Sequence, residues 1–175
     1  MELKCTVQTY AWGKLGMNSI VASLIKSANA DFVVDEQKTY AELWMGTHEN
    51  GPSYLKDTDI PLHKYIQENT EALGNNVAQT FCSNLPFLFK VLSINKALSI
   101  QVHPNKLVLP PGQSSYNLKP RNSASILLIV NGKAKISSKI CSRGSVLFIP
   151  ANDEVEIKVL CDCHPMLMFQ AFSNV

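Results

Sequence analysis

No stretch of this 175-residue chain approaches the roughly 20 consecutive apolar residues of a membrane span. The opening MELKCTVQTY has no apolar block long enough for a signal peptide, which predicts a cytoplasmic protein. Charge of one sign is missing too. Net charge is +2 with Lys and Arg scattered, so neither nucleic acid nor a membrane is expected as a partner. The absence of a P-loop and of G-x-G-x-x-G removes the usual nucleotide fingerprints. Gly144-Ser145 does not sit in a G-x-S-x-G elbow, which argues against a serine hydrolase. The five cysteines (Cys5, Cys82, Cys141, Cys161 and Cys163) are an odd number, read most simply as reduced cytosolic thiols.

What is present is an ordinary globular composition, 46% hydrophobic and 17% charged, in a length that suits one full domain or two small ones sharing a core. TVQTYAWG reads as a short strand running into a turn at Gly13. Asn18 is expected to cap a helix carrying Ile20, Val21, Leu24 and Ile25 at helical spacing. Tyr40 to Met45 is a compact apolar block. Pro61 opens a second helix with Leu62, Tyr65, Ile66 and, further along, Leu73; Gly74 stops it. From Leu85 the pattern is strand-like, and LPFLFKVLSI, Asn95-Lys96 and ALSIQVHP predict a β-hairpin on a two-residue turn. LVLPPGQSSYNLKPRN looks like a connection with at most one short strand. Beyond it SASILLIV, a turn at Asn131-Gly132, KAKISSKI, GSVLFIP, EVEIKVL and MLMFQAF form a series of short strands. Val155, Ile157 and Val159 alternate with Glu154, Glu156 and Lys158, so one face of that strand is buried and one is wet. The expected fold is mainly β, a sandwich or small barrel.

Ser99, Gln101 and His103 share one face of the second hairpin strand, since side chains i and i+2 point the same way. Such a polar row is costly to bury unless each group finds a partner. Either it is hydrogen-bonded near a strand end, or Gln101 and His103 hold a metal; spacing leaves both open. Cys161, Cys163 and His164 in CDCHP suggest zinc only superficially, because a closed zinc site needs four ligands, usually at longer spacing. His48 and His63 carry no assigned role. Trp12, Glu42 and Lys90 stand inside the apolar blocks YAWG, YAELWMG and PFLFKV. Buried Glu and Lys are rarely left unpaired, so these residues form a structural ion pair or a polar cavity for an anionic ligand.

TVQTYAWGKLGMNS, YAELWMGTHENGPS and LPFLFKVLSINKALSIQVHPNK closely resemble the N-terminal part of the type I mannose-6-phosphate isomerase (phosphomannose isomerase) family. The tail from SYNLKPRNSASILLIVNGKAKI to FQAF resembles the family's extreme C-terminus. The resemblance implies cupin-type β-barrel elements with a few short helices, residues 1–106 belonging to the catalytic cupin domain and 107–175 to C-terminal cupin-like strands. It implies a zinc enzyme that interconverts mannose 6-phosphate and fructose 6-phosphate and feeds GDP-mannose synthesis. Gln101 and His103 match its metal ligands, and Trp12, Glu42, Lys90 and Ser99 match residues in or beside the substrate cavity.

The chain departs from that pattern after HPNK. The family's N-H-K-P-E, P-H-A-Y and D-N-x-x-R-A-G strings, which carry two further zinc ligands and an Arg implicated in proton transfer, do not occur here. LKPR at 118–121 is a superficial echo, with Arg121 where a carboxylate would be needed. The sequence therefore reads as an isomerase with its middle removed and a join near Lys106/Leu107, as an alternative transcript would be. The expectations are an incomplete barrel, zinc weakly held or absent, negligible turnover, and a monomer liable to aggregate through exposed strand edges. The rival reading is a non-catalytic cupin-like module that binds a sugar phosphate or a partner protein.

Overall fold

The computed structural model describes residues 1–82, 84–96, 105–160 and 164–173. The first half holds β1 (Glu2–Lys4), β2 (Thr6–Gln8), β3 (Lys14–Leu15), α1 (Ile20–Ala28), β4 (Thr39–Tyr40), β5 (Glu42–Met45), β6 (Tyr54–Leu55), α2 (Leu62–Glu68), α3 (Asn75–Thr80) and β7 (Phe89–Leu92). The second half is strand throughout: β8 (Asn105–Leu109), β9 (Ser115–Leu118), β10 (Ser125–Asn131), β11 (Lys133–Ile136), β12 (Lys139–Ser142), β13 (Val146–Ile149), β14 (Val155–Val159) and β15 (Met166–Phe172). The protein is mainly β with a few short helices, and its described strands form no closed barrel.

A six-stranded antiparallel sheet, ordered β6-β1-β13-β10-β15-β8, forms the central layer. On one side lies a four-stranded sheet, β12-β11-β14-β9; on the other lie α1, α2 and a three-stranded sheet, β2-β5-β7. This layering explains the uninterrupted apolar runs of β10 and β13. Successive side chains on a strand point to opposite faces. Ile126 and Leu128 enter the first core, and Leu127 and Ile129 enter the second. On β13, Val146 and Phe148 divide from Leu147 and Ile149 in the same way. A strand buried on both faces cannot alternate with polar residues. On β14 only one face is covered, and Val155 and Ile157 are buried while Glu156 and Lys158 are exposed, as the alternation predicts.

Several local expectations are corrected. The cap of α1 is Ser19, not Asn18: its hydroxyl accepts from the Val21 and Ala22 amides and donates to the Tyr40 carbonyl at 2.7 Å. The helix after Pro61 ends at Glu68; a separate 3₁₀ turn, Thr70–Leu73, carries Leu73, and Gly74 terminates that turn at φ 86°. The stretch after Lys106 contributes two strands rather than at most one. β8 pairs with β15 over the register Met166↔Leu109 to Gln170↔Asn105, and β9 pairs with β14. The proposed join at Lys106/Leu107 thus falls inside a paired strand. The turn at Asn131-Gly132 passes the chain from the central sheet to the four-stranded one. Gly132 has φ 101°, and an added Cβ would stand 2.9 Å from Met166 Cγ, so both conformation and space call for glycine. The second strand of the hairpin expected after Asn95-Lys96 lies outside the described residues.

Candidate functional site

The three-stranded sheet carries the charges that the sequence singled out. β5 is its middle strand, registered with Gln8↔Glu42 and Thr6↔Trp44 on one side and Glu42↔Leu92 and Trp44↔Lys90 on the other. Alternation sends Leu43 and Met45 into the first core and puts Glu42 and Trp44 together on the opposite face. Lys90, directly across from Trp44, reaches diagonally to Glu42, and its Nζ lies 3.4 Å from Glu42 Oε2 and 4.6 Å from the centre of the Trp44 ring. The Trp44 Nε1–H donates to the same carboxylate oxygen.

The Glu42 side chain is 7% exposed and Lys90 30%. An isolated buried carboxylate would be strongly unfavourable, and here an ammonium and an indole N–H share that cost. A pair of this kind is often no more stabilising than well-packed apolar residues, so its presence is weak evidence for a purely structural role.

The loop after β5 holds Trp44 from the other side. The His48 ring meets the indole edge-on at 4.8 Å, and His48 Nδ1 accepts from the Asn50 amide at 3.2 Å. Gln8 Nε2 donates to the Asn50 carbonyl and Thr6 Oγ1 to the Pro52 carbonyl. A Cβ on Gly51 would come within 2.8 Å of Gln8 Nε2 and 3.1 Å of Trp44 Cε3, so a side chain there would push the loop off the indole. Trp44, His48 and Gly51 are parts of the cluster that the sequence did not assign. The one signal for Trp44 was its i+2 spacing from Glu42.

Trp12 lies at the far end of the same sheet. It stacks on Tyr10 with ring centres 5.9 Å apart, and its carbonyl accepts from the Asn95 amide. The structure thus brings Glu42 and Lys90 together and sets Trp12 beyond them. Ser99, Gln101 and His103 lie outside the described residues, as do Cys161 and Cys163; His164 and His63 are exposed.

Beside β7 a cavity of about 780 Å³ separates this sheet from β10 and β15. Its walls are mostly apolar, with Phe87, Phe89 and Phe169 prominent, and Lys90, Asn105 and Gln170 supply polar groups. Gln170 is buried and donates to Ser125 Oγ at 3.0 Å, and Lys90, whose ammonium rests on Glu42, is the one cationic residue among the described lining residues.

Cys5 and Cys141 take no part in this cluster. Burial pushes the Cys5 thiol up to about 12, and burial likewise raises Cys141, so both are protonated and inert at neutral pH.

The region holding this cluster, residues 1–122, matches the model of the type I phosphomannose isomerase catalytic domain. The chain belongs to the type I phosphomannose isomerase family. Mannose-6-phosphate isomerase 1 of Arabidopsis thaliana is 51% identical over 109 residues, which are 60% of this chain and 25% of that protein. The Homo sapiens mannose-6-phosphate isomerase is 53% identical over 107 residues, 59% of this chain and 25% of its own length. The chain thus aligns with only a quarter of these curated phosphomannose isomerases. A solved chain of a phosphomannose isomerase variant from Salmonella typhimurium superposes with a TM-score of 0.68 at 15% identity, over 96% of this chain and 98% of that one. At that identity the likeness speaks to the fold alone, a cupin-type β architecture.

The family implies zinc. Among the described residues no group of three His, Cys, Asp or Glu is placed to hold a metal ion. Glu42, the buried carboxylate of the site, is already engaged by Lys90 and Trp44. The described residues therefore do not complete a zinc site. Among them, no helix is long and apolar enough to cross a membrane.

Proposed function

We propose that this chain keeps one wall of a mannose-6-phosphate isomerase site, binds a sugar phosphate there, and turns it over negligibly if at all. The observation that carries the reading is the assembled Glu42–Lys90–Trp44 cluster, with Lys90 on the wall of a cavity inside the family-matched region. The Lys90 ammonium is the group that meets an anionic substrate, while Glu42 and Trp44 fix its position. The family resemblance adds Trp12 and Ser99 to the substrate-binding residues of this reading. Aldose–ketose isomerisation needs a positioned base and an electrophile for the developing oxyanion. Catalytic zinc generally rests on three protein ligands, and the matched donors here are two, Gln101 and His103, one of them a neutral amide. The metal is then weakly held or absent, and the chemical step lacks its electrophile. In this reading the chain is a cytoplasmic monomer adjoining the metabolism that supplies GDP-mannose.

The test is made on the purified 175-residue chain in a coupled isomerase assay with added zinc, alongside metal analysis and melting with and without mannose 6-phosphate. The expected result is no turnover above blank and substoichiometric zinc. A rise in melting temperature with mannose 6-phosphate is also expected, and it disappears in Lys90→Met. Ordinary turnover with about one zinc per chain would overturn the claim of inactivity. No shift with the sugar phosphate would sink the binding claim.

A further inference from the structure

The uncovered face of the four-stranded sheet carries a group of lysines on its two inner strands. Along β11 the exposed positions are Lys133 and Lys135, with Ala134 and Ile136 turned into the second core. The register places Lys158 of β14 directly across from Lys135, with Ile140 of β12 on its other side. In the next row Ser142 flanks Lys133 on one side, and on the other the Leu160 amide donates to the Lys133 carbonyl. Ile140 is 63% exposed and Leu160 50%. A shallow depression of about 140 Å³, lined by Lys135, Ser137, Glu156 and Lys158, lies on the same face.

Like charges directly opposite on neighbouring strands are destabilising. Lysines are often placed on edge strands to block unwanted pairing, yet β11 and β14 are the two inner strands of this sheet. Glu156 offsets Lys158 at 3.2 Å, and Glu154, just before β14, faces the Lys119 end. Lys133 and Lys135 have no ion-pair partner within 4.0 Å among the described residues; Glu156 shares the depression with Lys135 but is paired with Lys158.

We propose that this face docks an extended acidic polypeptide segment. Alternate side chains of an extended chain repeat about every 6.8 Å, the spacing of Lys133 and Lys135 along β11. A strand with acids at alternate positions laid over β11 therefore meets both lysines. Lys158 stands about 4.8 Å to the side, and Ile140 and Leu160 offer apolar contact at the margins. The exposed face presents no aromatic ring on which a base could stack and no arginine to read base edges among its described residues, so its lysines would meet phosphates only. That favours an acidic protein segment over a nucleic-acid strand.

The test uses the intact chain and a fluorescein-labelled peptide of alternating Glu and Ser, read by fluorescence polarisation at low and physiological ionic strength. Saturable binding that weakens with salt is expected. Lys135→Glu and Lys158→Glu should each weaken it by about tenfold, with Lys135→Gln in between. Lys64→Glu, the same change in net charge on α2, should leave it intact. Because Lys135→Glu removes a like-charge pair, it should also raise the melting temperature of the free chain by roughly 1–3 °C. A lower melting temperature for that variant would remove the argument from repulsion and overturn the proposal. So would equal loss of binding in Lys64→Glu, absence of peptide binding at low salt, or tighter binding of a single-stranded oligonucleotide of the same charge.

Discussion

The two cores on either side of the central sheet are built on different terms. The second, between the six- and four-stranded sheets, is filled by Leu127, Ile129, Leu147, Ile157 and Met168, and its buried polar groups, Gln170 beside Leu127 donating to Ser125, carry no charge. The first carries a buried acid at its margin, Glu42, together with the buried hydroxyls of Ser19, Ser53 and Ser93, each with a hydrogen-bond partner. Neutral polar groups are thus buried on both sides, and among the described residues a buried charge stands on the first side alone. It coincides with the strands β2, β5 and β7 of the family-matched region. Lys90, the partner of that charge, lines the cavity, whereas the second core holds uncharged groups only.

Removing the bulk that ties the halves together gives the largest effect. Phe148 is fully buried in the first core and stacks edge-on against Tyr65 at 6.3 Å, yet it belongs to β13, which also pairs with β1. Phe148→Ala should cost about 3–5 kcal/mol, a large part of the roughly 5–15 kcal/mol typical of a domain. Leu127→Ala in the second core should cost about 2–5 kcal/mol. If the cores form one cooperative unit, each variant lowers the tryptophan-fluorescence and far-UV transitions together in urea. Separate transitions would mean that the second core folds without the first.

The ion pair is the next largest. Lys90→Met strands a buried carboxylate, but Lys90 is partly exposed and Glu42 keeps the Trp44 N–H, so the loss should be about 1–3 kcal/mol. Adding Glu42→Gln should restore most of it, because the uncompensated charge is then gone. A double-mutant cycle by urea denaturation checks this. Additive losses would show that the two side chains do not interact, and the contrast between the cores would lose its ion pair.

These residues also show which parts of the structure were legible in the sequence. β14 could be read because one wet face imposes alternation. β10 and β13 could be read as strands, but periodicity is silent when both faces are buried, so their role as the central layer was hidden. β8 and β9 were hidden by their Pro, Ser and Asn surroundings; they exist through pairing with β15 and β14, some sixty and forty residues away in sequence. Glu42 and Lys90 were conspicuous as charges in apolar blocks. Trp44 was not, because an aromatic in such a block reads as ordinary core. Ser19 lost to Asn18 in the reading because both are good caps one position apart, and only the fold shows which backbone turns. Gln101, His103 and Ser99 rest on motif alone.

Ser19 gives the third prediction. Its hydroxyl serves three groups: it accepts from two orphan amides at the start of α1 and donates to the Tyr40 carbonyl that leads into β5. Ser19→Ala should cost about 1–2 kcal/mol, with Ser19→Thr recovering part of it. The loss should appear in both fluorescence and far-UV melting, since cap and strand share the oxygen. Asn18→Ala should be nearly silent. An equal effect at Asn18 would return the cap to the position the sequence suggested.

The smallest effect lies on the surface, where the two halves also meet. Lys139 on β12 pairs with Asp57 in the loop after β6, a contact between residues 82 apart in sequence. The hydrogen bond and charge of Lys139 hold the Asp57 carboxyl below its ordinary value of 3.8, and Asp57 in turn holds the Lys139 ammonium above 10.5. For a lowered carboxylate, the stabilisation is present above the unfolded value and is lost as pH falls through the lower folded one. For a raised ammonium, it is present below 10.5 and lost as pH climbs through the higher folded value. The bridge should therefore act across the neutral range and fade at both extremes. Because both groups are solvent-exposed, salt should screen most of it. Asp57→Asn should flatten the acid side of the curve of melting temperature against pH below about 4, and the difference from wild type should vanish at high salt. A difference that persists at high salt would mean that this contact is part of how the halves pack rather than a charge pair laid across them.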